Sequence, residues 1–351
     1  MTSETTPSHA EHADSGAIDL RAPKRQVVAI VGAASFLGEN LIGMLEEDER
    51  IRRIVCLDLK APRTAASRSR VYETDLTQPN AEERLAEIFA AEGVDTLVHL
   101  AFLPSPAHAT AWAHELESVG TLHLVNACRR TRVRKIVMWS QTLLYGAHPT
   151  NPNFLSERHP LRASRDEPFF LDKLEAEQEV LRFGNPGQGR IVTVLRTAPI
   201  LGPNVDNFLT RYLGRRLVPT VMGFDPLWQF LHEADAVTAF QLAVLRDAPG
   251  IYNITGDGVL PLHTVIRLAG GTALPLPRTL TRTMAGALWI AQLGEAPPSF
   301  CDYLQYLCVA DGRAARQKLG FVPLYTSREA VIEFGSAQRL RDVRLLSERT
   351  A

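Results

Sequence analysis

The sequence predicts an α/β protein, with a doubly wound parallel β-sheet and a smaller, loop-rich lobe toward the C-terminus. Two observations support this prediction. Between Arg25 and Ser140, short β-rich runs alternate with helical stretches, which is the pattern of a parallel sheet covered by helices on both faces. The run at residues 26–32, "QVVAIVG", is continuously apolar, as a strand buried on both faces requires.

The other elements follow from the spacing of apolar residues. A helix is predicted directly after the first strand, because Leu37, Leu41, Ile42 and Leu45 recur at helical spacing. Further strands are expected at 51–59, 71–76, 95–101, 135–140, 189–196 and 251–255. Further helices are expected at 81–93, 113–131, 207–216 and 309–320.

Charge and hydropathy argue against several classes of protein. The chain of 351 residues has a formal net charge of −1, which argues against nucleic acid or an anionic membrane as a partner. No apolar run reaches the roughly 18 residues of a membrane span, and the best candidate, residues 284–294, is predicted to be a packed helix. The four cysteines form no close metal-binding pair. We therefore expect no metal site and a reducing, cytoplasmic location.

A phosphate-binding turn is predicted between the first strand and the first helix, in the run "IVGAASFLG". Gly32 permits a tight turn, and Gly38, six residues later, lets the helix pack close to the sheet. The start of the helix, at Phe36 and Leu37, then offers free backbone N–H groups to a pyrophosphate. Ser35 stands where such turns usually carry a glycine, and its hydroxyl can donate to a phosphate oxygen. The pattern is that of a Rossmann dinucleotide site.

Asp58 indicates which dinucleotide is bound. It lies 20 residues after Gly38, at the end of the second strand. A carboxylate there accepts hydrogen bonds from the adenosine ribose and repels a 2′-phosphate, so NAD is favoured over NADP. The alternative is an aspartate that caps the next turn. Arg63, Arg68 and Arg70 follow closely, and they keep NADP open as the second choice.

These motifs divide the chain into four predicted segments. Residues 1–24 are polar, acidic and poor in large apolar groups, so a disordered tail is expected. Residues 25–188 form the dinucleotide-binding domain. Residues 189–336 hold the last sheet strands, interleaved with the substrate lobe, and 337–351 form a C-terminal tail or helix.

The chain resembles the extended short-chain dehydrogenase/reductase family, in its NAD-dependent epimerase/dehydratase branch, over about residues 26–335. The phosphate turn carries the resemblance first. The other matching segments lie in the expected order, and they are "TDLT" (74–77), "LVHLA" (97–101), "GTLHLVNACR" (120–129), "SQTLLYG" (140–146), "FFLDKLEAE" (169–177), "LRTAPILGP" (195–203) and "FLHEADAV" (230–237).

The resemblance implies roles for several residues. Asp75 and the adjacent Leu76 would form the adenine pocket, Leu100 and Ala101 would lie beside the cofactor, and Lys173 would hold the nicotinamide ribose. The substrate would be a small molecule, possibly a nucleotide sugar. Relatives often dimerise through two long helices, which here correspond to residues 107–131 and 168–183, so a homodimer is possible.

Two departures from the family pattern affect the expected mechanism. The catalytic tyrosine that precedes the lysine by four residues is Phe169, and the Ser or Thr that assists it is Gln141. Phenylalanine cannot move a proton, and glutamine can orient a substrate oxygen but cannot act as an acid. Lys173, Gln141, Thr142 and the degenerate Phe169 are therefore the residues expected at the reacting centre.

Two interpretations remain open. The protein is an enzyme whose proton comes from elsewhere, with Thr142, Tyr145, His148 and Glu157 as candidates. Alternatively, it binds NAD without turning it over, as a sensor or interaction protein that uses residues 284–294 for docking. Three residues after the "LVHLA" strand either line the substrate pocket or pack in a helix, and they are His108, Trp112 and His114.

Overall fold

The computed structural model describes residues 25–350, so the predicted tail 1–24 lies outside the described part of the chain. The strands are β1 (Gln26–Val31), β2 (Ile51–Asp58), β3 (Ser69–Glu73), β4 (Thr96–His99), β5 (Lys135–Gln141), β6 (Ile191–Thr197), β7 (Ile200–Leu201), β8 (Leu217–Val221), β9 (Leu227–Trp228), β10 (Leu231–His232), β11 (Gly250–Ile254), β12 (Leu260–Pro261) and β13 (Thr272–Leu276).

The helices lie between and after these strands. They are α1 (Phe36–Glu47), α2 (Ala81–Glu92), α3 (Thr110–His114), α4 (Gly120–Arg129), α5 (Pro168–Phe183), α6 (Phe208–Leu213), α7 (Glu233–Leu245), α8 (Leu262–Ala269), α9 (Arg278–Ile290) and α10 (Ser327–Thr350). A π-helical turn, Glu115–Val119, joins α3 to α4, and another spans Ala315–Leu319. Short 3₁₀ turns span Thr142–Tyr145, Pro186–Gln188 and Pro298–Leu304.

The central sheet has seven parallel strands in the order β3-β2-β1-β4-β5-β6-β11. The chain runs outward from β1 to β3, then returns to the other side of β1 with β4. The strand order therefore reverses between β1 and β4, and a crevice opens beyond their carboxyl ends. The predicted doubly wound Rossmann sheet is confirmed.

Both faces of the sheet are buried because side chains alternate along each strand. In β1, Val28 and Ile30 belong to the core beneath α1 and α7. Val27, Ala29 and Val31 belong to the opposite core, beneath α2, α4 and α5. This two-sided burial explains why the sequence of β1 is continuously apolar rather than alternating.

The smaller lobe packs around a third core with many aromatic side chains. The parallel pair β8–β13 and helices α6, α8 and α10 surround it. The central residues are Phe169, Phe170, Phe208, Trp228, Phe300 and Tyr303. Two of these rings come from α5 of the large domain, so the lobe and the sheet domain share this core.

Several predicted elements differ in extent from the observed ones. The strand expected at 71–76 ends at Glu73, because Asp75 accepts hydrogen bonds from Thr77 and Gln78 in a turn. The helix expected at 207–216 ends at Leu213, before Gly214. Residues 337–350 continue α10 as a helix.

The packed helix predicted at 284–294 is wrong in part. Helix α9 ends at Ile290, and of its own residues only Thr281 is buried. Ile290 and Leu293 are 84% and 75% exposed, because this segment lies at the edge of the lobe. Among the described residues, no helix is both long and apolar enough to cross a bilayer.

The substitution Gly32→Ala tests whether the backbone of Gly32, just after β1, must approach the backbone of Leu100 closely. Gly32 has a φ of +82°, and an added Cβ would lie 2.6 Å from the backbone carbon of Leu100. We expect this variant to lose roughly 3 kcal/mol of unfolding free energy in chemical denaturation. Gly43→Ala is the matched control, because a Cβ on this α1 glycine meets nothing within 4 Å, and we expect it to gain up to about 1 kcal/mol. Equal stabilities of the two variants would contradict this account.

Candidate functional site

The predicted phosphate-binding turn adopts a compact conformation between β1 and α1. Ser35 is the N-cap of α1, and its Oγ accepts a hydrogen bond from the Gly38 N–H at 3.1 Å. A Cβ on Gly38 would lie 2.4 Å from the Gly32 carbonyl oxygen, so only glycine fits there. Ser35 thus accepts the hydrogen bond of one N–H group in the first turn of α1. The other free backbone N–H groups of that turn can bind an anion.

Asp58 ends β2 beside this turn. Its Oδ2 accepts from the Ala34 N–H at 2.9 Å, and its Oδ1 accepts from the Leu59 N–H at 2.7 Å. Asp58 thus caps the turn that follows β2, which was the alternative to ribose binding in the sequence analysis. A carboxylate offers about four acceptor sites, however, so it can also bind a ribose.

A cavity of about 350 Å³ lies over the turn and the ends of β2 and β4. We call it the adenosine cavity, since it contains the residues predicted to bind that part of NAD. Its wall includes Gly32, Ser35, Asp58, Asp75, Leu76, Leu100 and Ala101. Hydrogen bonds from Gln78 and Thr77 hold the pKa of Asp75 below its usual value, so this carboxyl is charged at neutral pH.

The three arginines that could have bound the 2′-phosphate of NADP each have another partner within the protein. Arg63 pairs with Glu39 at 2.7 Å, and Arg70 pairs with Glu92 at 2.9 Å. Arg68 donates to the backbone carbonyl of Asp48 at 2.8 Å. Lys60 is the cationic residue in the wall of the adenosine cavity. This arrangement favours NAD, in agreement with the carboxylate of Asp58.

A second cavity of about 340 Å³ lies over the carboxyl ends of β5 and β6. We call it the substrate cavity. It shares Ser35 and Phe102 with the adenosine cavity, so the two meet beside the phosphate turn. Phe36 and Leu37 lie in its wall, and so do Gln141 and Thr197 from the last residues of β5 and β6.

Gln141 is the one residue of the predicted reacting centre that lines this cavity. Thr142 is 2% exposed and lies outside the walls of both cavities. Its backbone carbonyl accepts a weak hydrogen bond from the Cys308 thiol. Phe169 and Lys173 are also buried and are not part of the cavity wall.

The other candidate proton donors have structural contacts. Tyr145 is fully buried, donates to Asn253 Oδ1 at 2.8 Å and accepts from Arg196 at 2.9 Å. Glu157 accepts from the Asn253 backbone N–H at 2.9 Å. His148 is hydrogen-bonded to the Arg162 carbonyl at 2.9 Å. None of the three lines the substrate cavity.

Lys173 is held by a carboxylate that the sequence reasoning missed. Both carboxylate oxygens of Glu117 lie 2.7 Å from the Lys173 Nζ, and the two side chains are 1% and 3% exposed. The Leu103 N–H donates to the same carboxylate at 2.6 Å. The Lys173 ammonium also lies 3.9 Å from the centroid of the Phe169 ring, a favourable cation–π distance.

This buried pair explains how the lysine is tolerated without its tyrosine partner. Burial lowers the pKa of Lys173 and raises that of Glu117, and the mutual attraction of the two groups opposes both shifts. Glu117 lies in the π-helical turn between α3 and α4. Such a turn adds a residue to the helix and frequently occurs at functional sites. The Lys173 charge is therefore neutralised within the protein.

The three residues for which the sequence left both pocket lining and helix packing open are not in the wall of the substrate cavity. His114 Nδ1 lies 2.7 Å from Asp172 Oδ1, and this contact raises the pKa of His114. The His108 ring contacts the Trp289 ring, with centroids 4.0 Å apart and ring planes tilted by 35°. Trp112 lines the adenosine cavity and is 45% exposed.

Other side chains of the substrate cavity were not identified from the sequence. They are Phe102, Trp139, Thr197, Asp206 and Phe208. Trp139 and Thr197 come from adjacent strands, and the indole N–H donates to the threonine Oγ1 at 2.9 Å. Their separation of 58 residues left no local signal to link them.

Comparison with known proteins gives matches over most of the chain. A family model described as the NAD dependent epimerase/dehydratase family matches residues 28–255. An uncharacterised protein of Mycobacterium tuberculosis is 32% identical over 317 residues, covering 88% of this chain and 83% of the relative. A 3-diazoavenalumate denitrifying reductase of a Streptomyces species is 30% identical over 272 residues, covering 74% of this chain and 86% of that protein.

Solved structures share the fold at low sequence identity. UDP-glucose 4-epimerase from Thermotoga maritima, with UDP-glucose, has a TM-score of 0.67 and 18% identity, over 90% of this chain and 99% of that one. UDP-glucuronic acid 4-epimerase from Bacillus cereus, in complex with NAD, has a TM-score of 0.65 and 16% identity, with the same coverage.

Removal of the Glu117 carboxylate tests the buried pair. In Glu117→Ala the Lys173 charge is left without compensation, and we expect a loss of about 3–5 kcal/mol of unfolding free energy. The double variant Glu117→Ala/Lys173→Met should recover most of this loss, because no buried charge remains. Glu295→Ala is the control, since Glu295 pairs with Arg211 at the surface, and should cost at most about 1 kcal/mol. Chemical denaturation measures all three, and a stable single variant would contradict the assignment.

Proposed function

Because the chain belongs to the NAD-dependent epimerase/dehydratase family, we propose that it binds NAD and catalyses redox chemistry at a carbon that bears oxygen. The observation that carries this proposal is the meeting of the two cavities at Ser35 and Phe102, beside the phosphate turn. A dinucleotide that lies across this turn has its adenosine in the adenosine cavity and its nicotinamide in the substrate cavity. Bound NAD supplies a site that accepts or returns a hydride.

The residues that hold NAD in this proposal follow the walls of the cavity. Asp58 accepts from the ribose, and Asp75 and Leu76 contact the adenine. The pyrophosphate meets the start of α1 at Ser35, Phe36 and Leu37, and Gly32 and Gly38 allow the close approach of strand and helix. Leu100 and Ala101 pack beside the cofactor. The Lys173 ammonium already donates hydrogen bonds to both carboxylate oxygens of Glu117. Lys173 is therefore a weaker candidate for binding the nicotinamide ribose than the sequence predicted.

Proton transfer in this proposal does not follow the family pattern. Gln141 lines the substrate cavity and can donate a hydrogen bond that orients a substrate oxygen. Asp206 is the acidic side chain in that wall; it is 75% exposed, and Arg211 pairs with it at 2.7 Å. We assign proton exchange to Asp206 in place of Thr142, which lies outside the wall. The substrate is a small alcohol or carbonyl compound, and a nucleotide sugar is one candidate, since UDP-glucose accompanies the Thermotoga epimerase.

The second candidate function is an NAD sensor without turnover. The observation that favours it is the combination of Phe169 with a lysine already neutralised by Glu117. Such a site retains the cofactor cradle and lacks the usual proton relay.

A homodimer through α4 and α5 is also proposed. An exposed apolar side chain on α4 supports it, Leu122 at 41%. Light scattering would then give twice the 38.8 kDa mass of one chain.

The substitution Asp58→Asn tests cofactor binding. Loss of the charged acceptor should weaken NAD binding by about tenfold, whereas NADP binding should fall less because the repulsion of its 2′-phosphate is removed. Titration calorimetry measures both affinities. Asp166→Asn is the matched control, because Asp166 is exposed and lies outside both cavity walls. If the wild-type protein bound neither dinucleotide, the proposal would fail.

The substitution Phe169→Tyr separates enzyme from sensor. We expect it to raise the NAD-dependent oxidation of a panel of alcohols and the NADH-dependent reduction of a panel of aldehydes by roughly tenfold. This gain is below the 10²–10⁴ of a full acid–base relay, because Phe169 is not in the cavity wall and Glu117 already neutralises Lys173. The absorbance of reduced nicotinamide measures the rate. Phe154→Tyr, at an exposed phenylalanine, is the control. A rate that stays at zero in a variant that still binds NAD would favour the sensor.

A further inference from the structure

The walls of the substrate cavity point to the chemical class of the substrate. We propose that this site takes an uncharged, largely apolar alcohol or carbonyl compound in preference to a nucleotide diphosphate sugar. The inference rests on the proposed NAD-dependent function, and it narrows the substrate of the same site.

The wall of the substrate cavity is mostly apolar. Its large side chains are Phe36, Phe102, Trp139, Leu143, Phe208 and Leu209. None of its lining residues is Lys, Arg or His, and its one charged side chain is the carboxylate of Asp206. The cavity volume is about 340 Å³, and in the proposed function the nicotinamide end of NAD takes up part of it, so the space that is left suits a small molecule.

Most polar side chains in this wall already have partners. Asn204 donates to Glu233 at 2.8 Å, and Asn207 caps α6 by accepting from the Leu209 and Thr210 N–H groups. Thr197 accepts from Trp139 at 2.9 Å. In the described part of the chain, the Gln141 side chain has no hydrogen bond. The wall therefore offers a free amide for a single substrate oxygen within apolar surroundings.

A small cavity of about 20 Å³ shares the lining residues Leu143 and Pro199 with the substrate cavity. None of its other lining residues is Lys, Arg, Asp or Glu, and they are Leu227, Trp228, Gln229, Tyr303, Tyr306 and Cys308. The surroundings of the substrate cavity on this side are therefore uncharged and rich in aromatic side chains.

A diphosphate would lack compensation in these surroundings. Buried phosphates are usually held by arginine, lysine or a free helix N-terminus. Arg211, beside the wall, is held by Asp206 at 2.7 Å and by Glu295 at 3.0 Å. The N-terminus of α6 is closed by Asn207. The start of α1 also lies in this wall, but in the proposed function it binds the pyrophosphate of NAD. Two phosphate charges in this cavity would therefore meet no cationic side chain in the wall, and the carboxylate of Asp206, although 75% exposed, would add a like charge.

Ligand ranking on the NAD-loaded full chain tests this inference. The probes are N-phenyl-1-naphthylamine, a neutral aromatic compound whose fluorescence rises on binding, and UDP-glucose. We expect the neutral probe to bind at least about tenfold more tightly than UDP-glucose. The ranking uses the wild-type protein and so does not depend on the folding of a variant.

The substitution Val205→Trp locates the bound probe. Val205 lines the substrate cavity, is 8% exposed and lies outside the adenosine cavity. A tryptophan there should fill the space and weaken probe binding by at least about tenfold, with NAD affinity retained as evidence of folding. Val322→Trp is the matched control, because Val322 is 58% exposed and lines neither cavity.

The outcomes separate this inference from the proposed function. NAD binding with UDP-glucose ranked above the neutral probe would overturn the inference and leave the proposed function in place. Probe binding that Val205→Trp does not change, while NAD still binds, would also overturn it. Absence of NAD binding would overturn the proposed function and the inference together.

Discussion

The close approach of Gly32 to the end of β4 is the constraint on which the site depends. At Gly32 the chain turns with a positive φ. A Cβ atom added to Gly32 would lie only 2.6 Å from the backbone carbon of Leu100, so no side chain fits there. This packing brings the start of α1 against the sheet where the strand order reverses. The helix N-terminus, the carboxylate of Asp58 and the ends of β5 and β6 therefore open onto one crevice, which contains both cavities.

The pair Glu117–Lys173 shows how the fold accommodates a lysine whose usual partner is absent. A buried ammonium without a countercharge would lower the stability of the fold, because burial removes its hydration. The Glu117 carboxylate, from the π-helical turn, compensates this loss through two hydrogen bonds to the ammonium. The same contact neutralises the charge of the Lys173 ammonium within the protein. Phe169 then belongs to the aromatic core that α5 shares with the smaller lobe, so its ring contributes to packing instead of proton transfer.

Local features were predicted well because their signals lie within a few residues of sequence. The run of β1, the two glycines and Ser35 predict a strand, a turn and a helix start, and the structure has all three. Asp58 also lies where the spacing placed it. The candidate proton donors depend on distant partners that no local pattern reveals, and two of them, Thr142 and Tyr145, are buried outside the cavity wall.

The sequence by itself determined the parallel sheet and the dinucleotide cradle, since backbone sterics and apolar periodicity act over short distances. Only the tertiary structure decided that Glu117 neutralises Lys173, 56 residues away, and that Trp139, Thr197 and Asp206 surround one cavity. These contacts arise from the packing of separate elements. Burial and the pairing of charge depend on which side chains meet in space, and no local pattern records that.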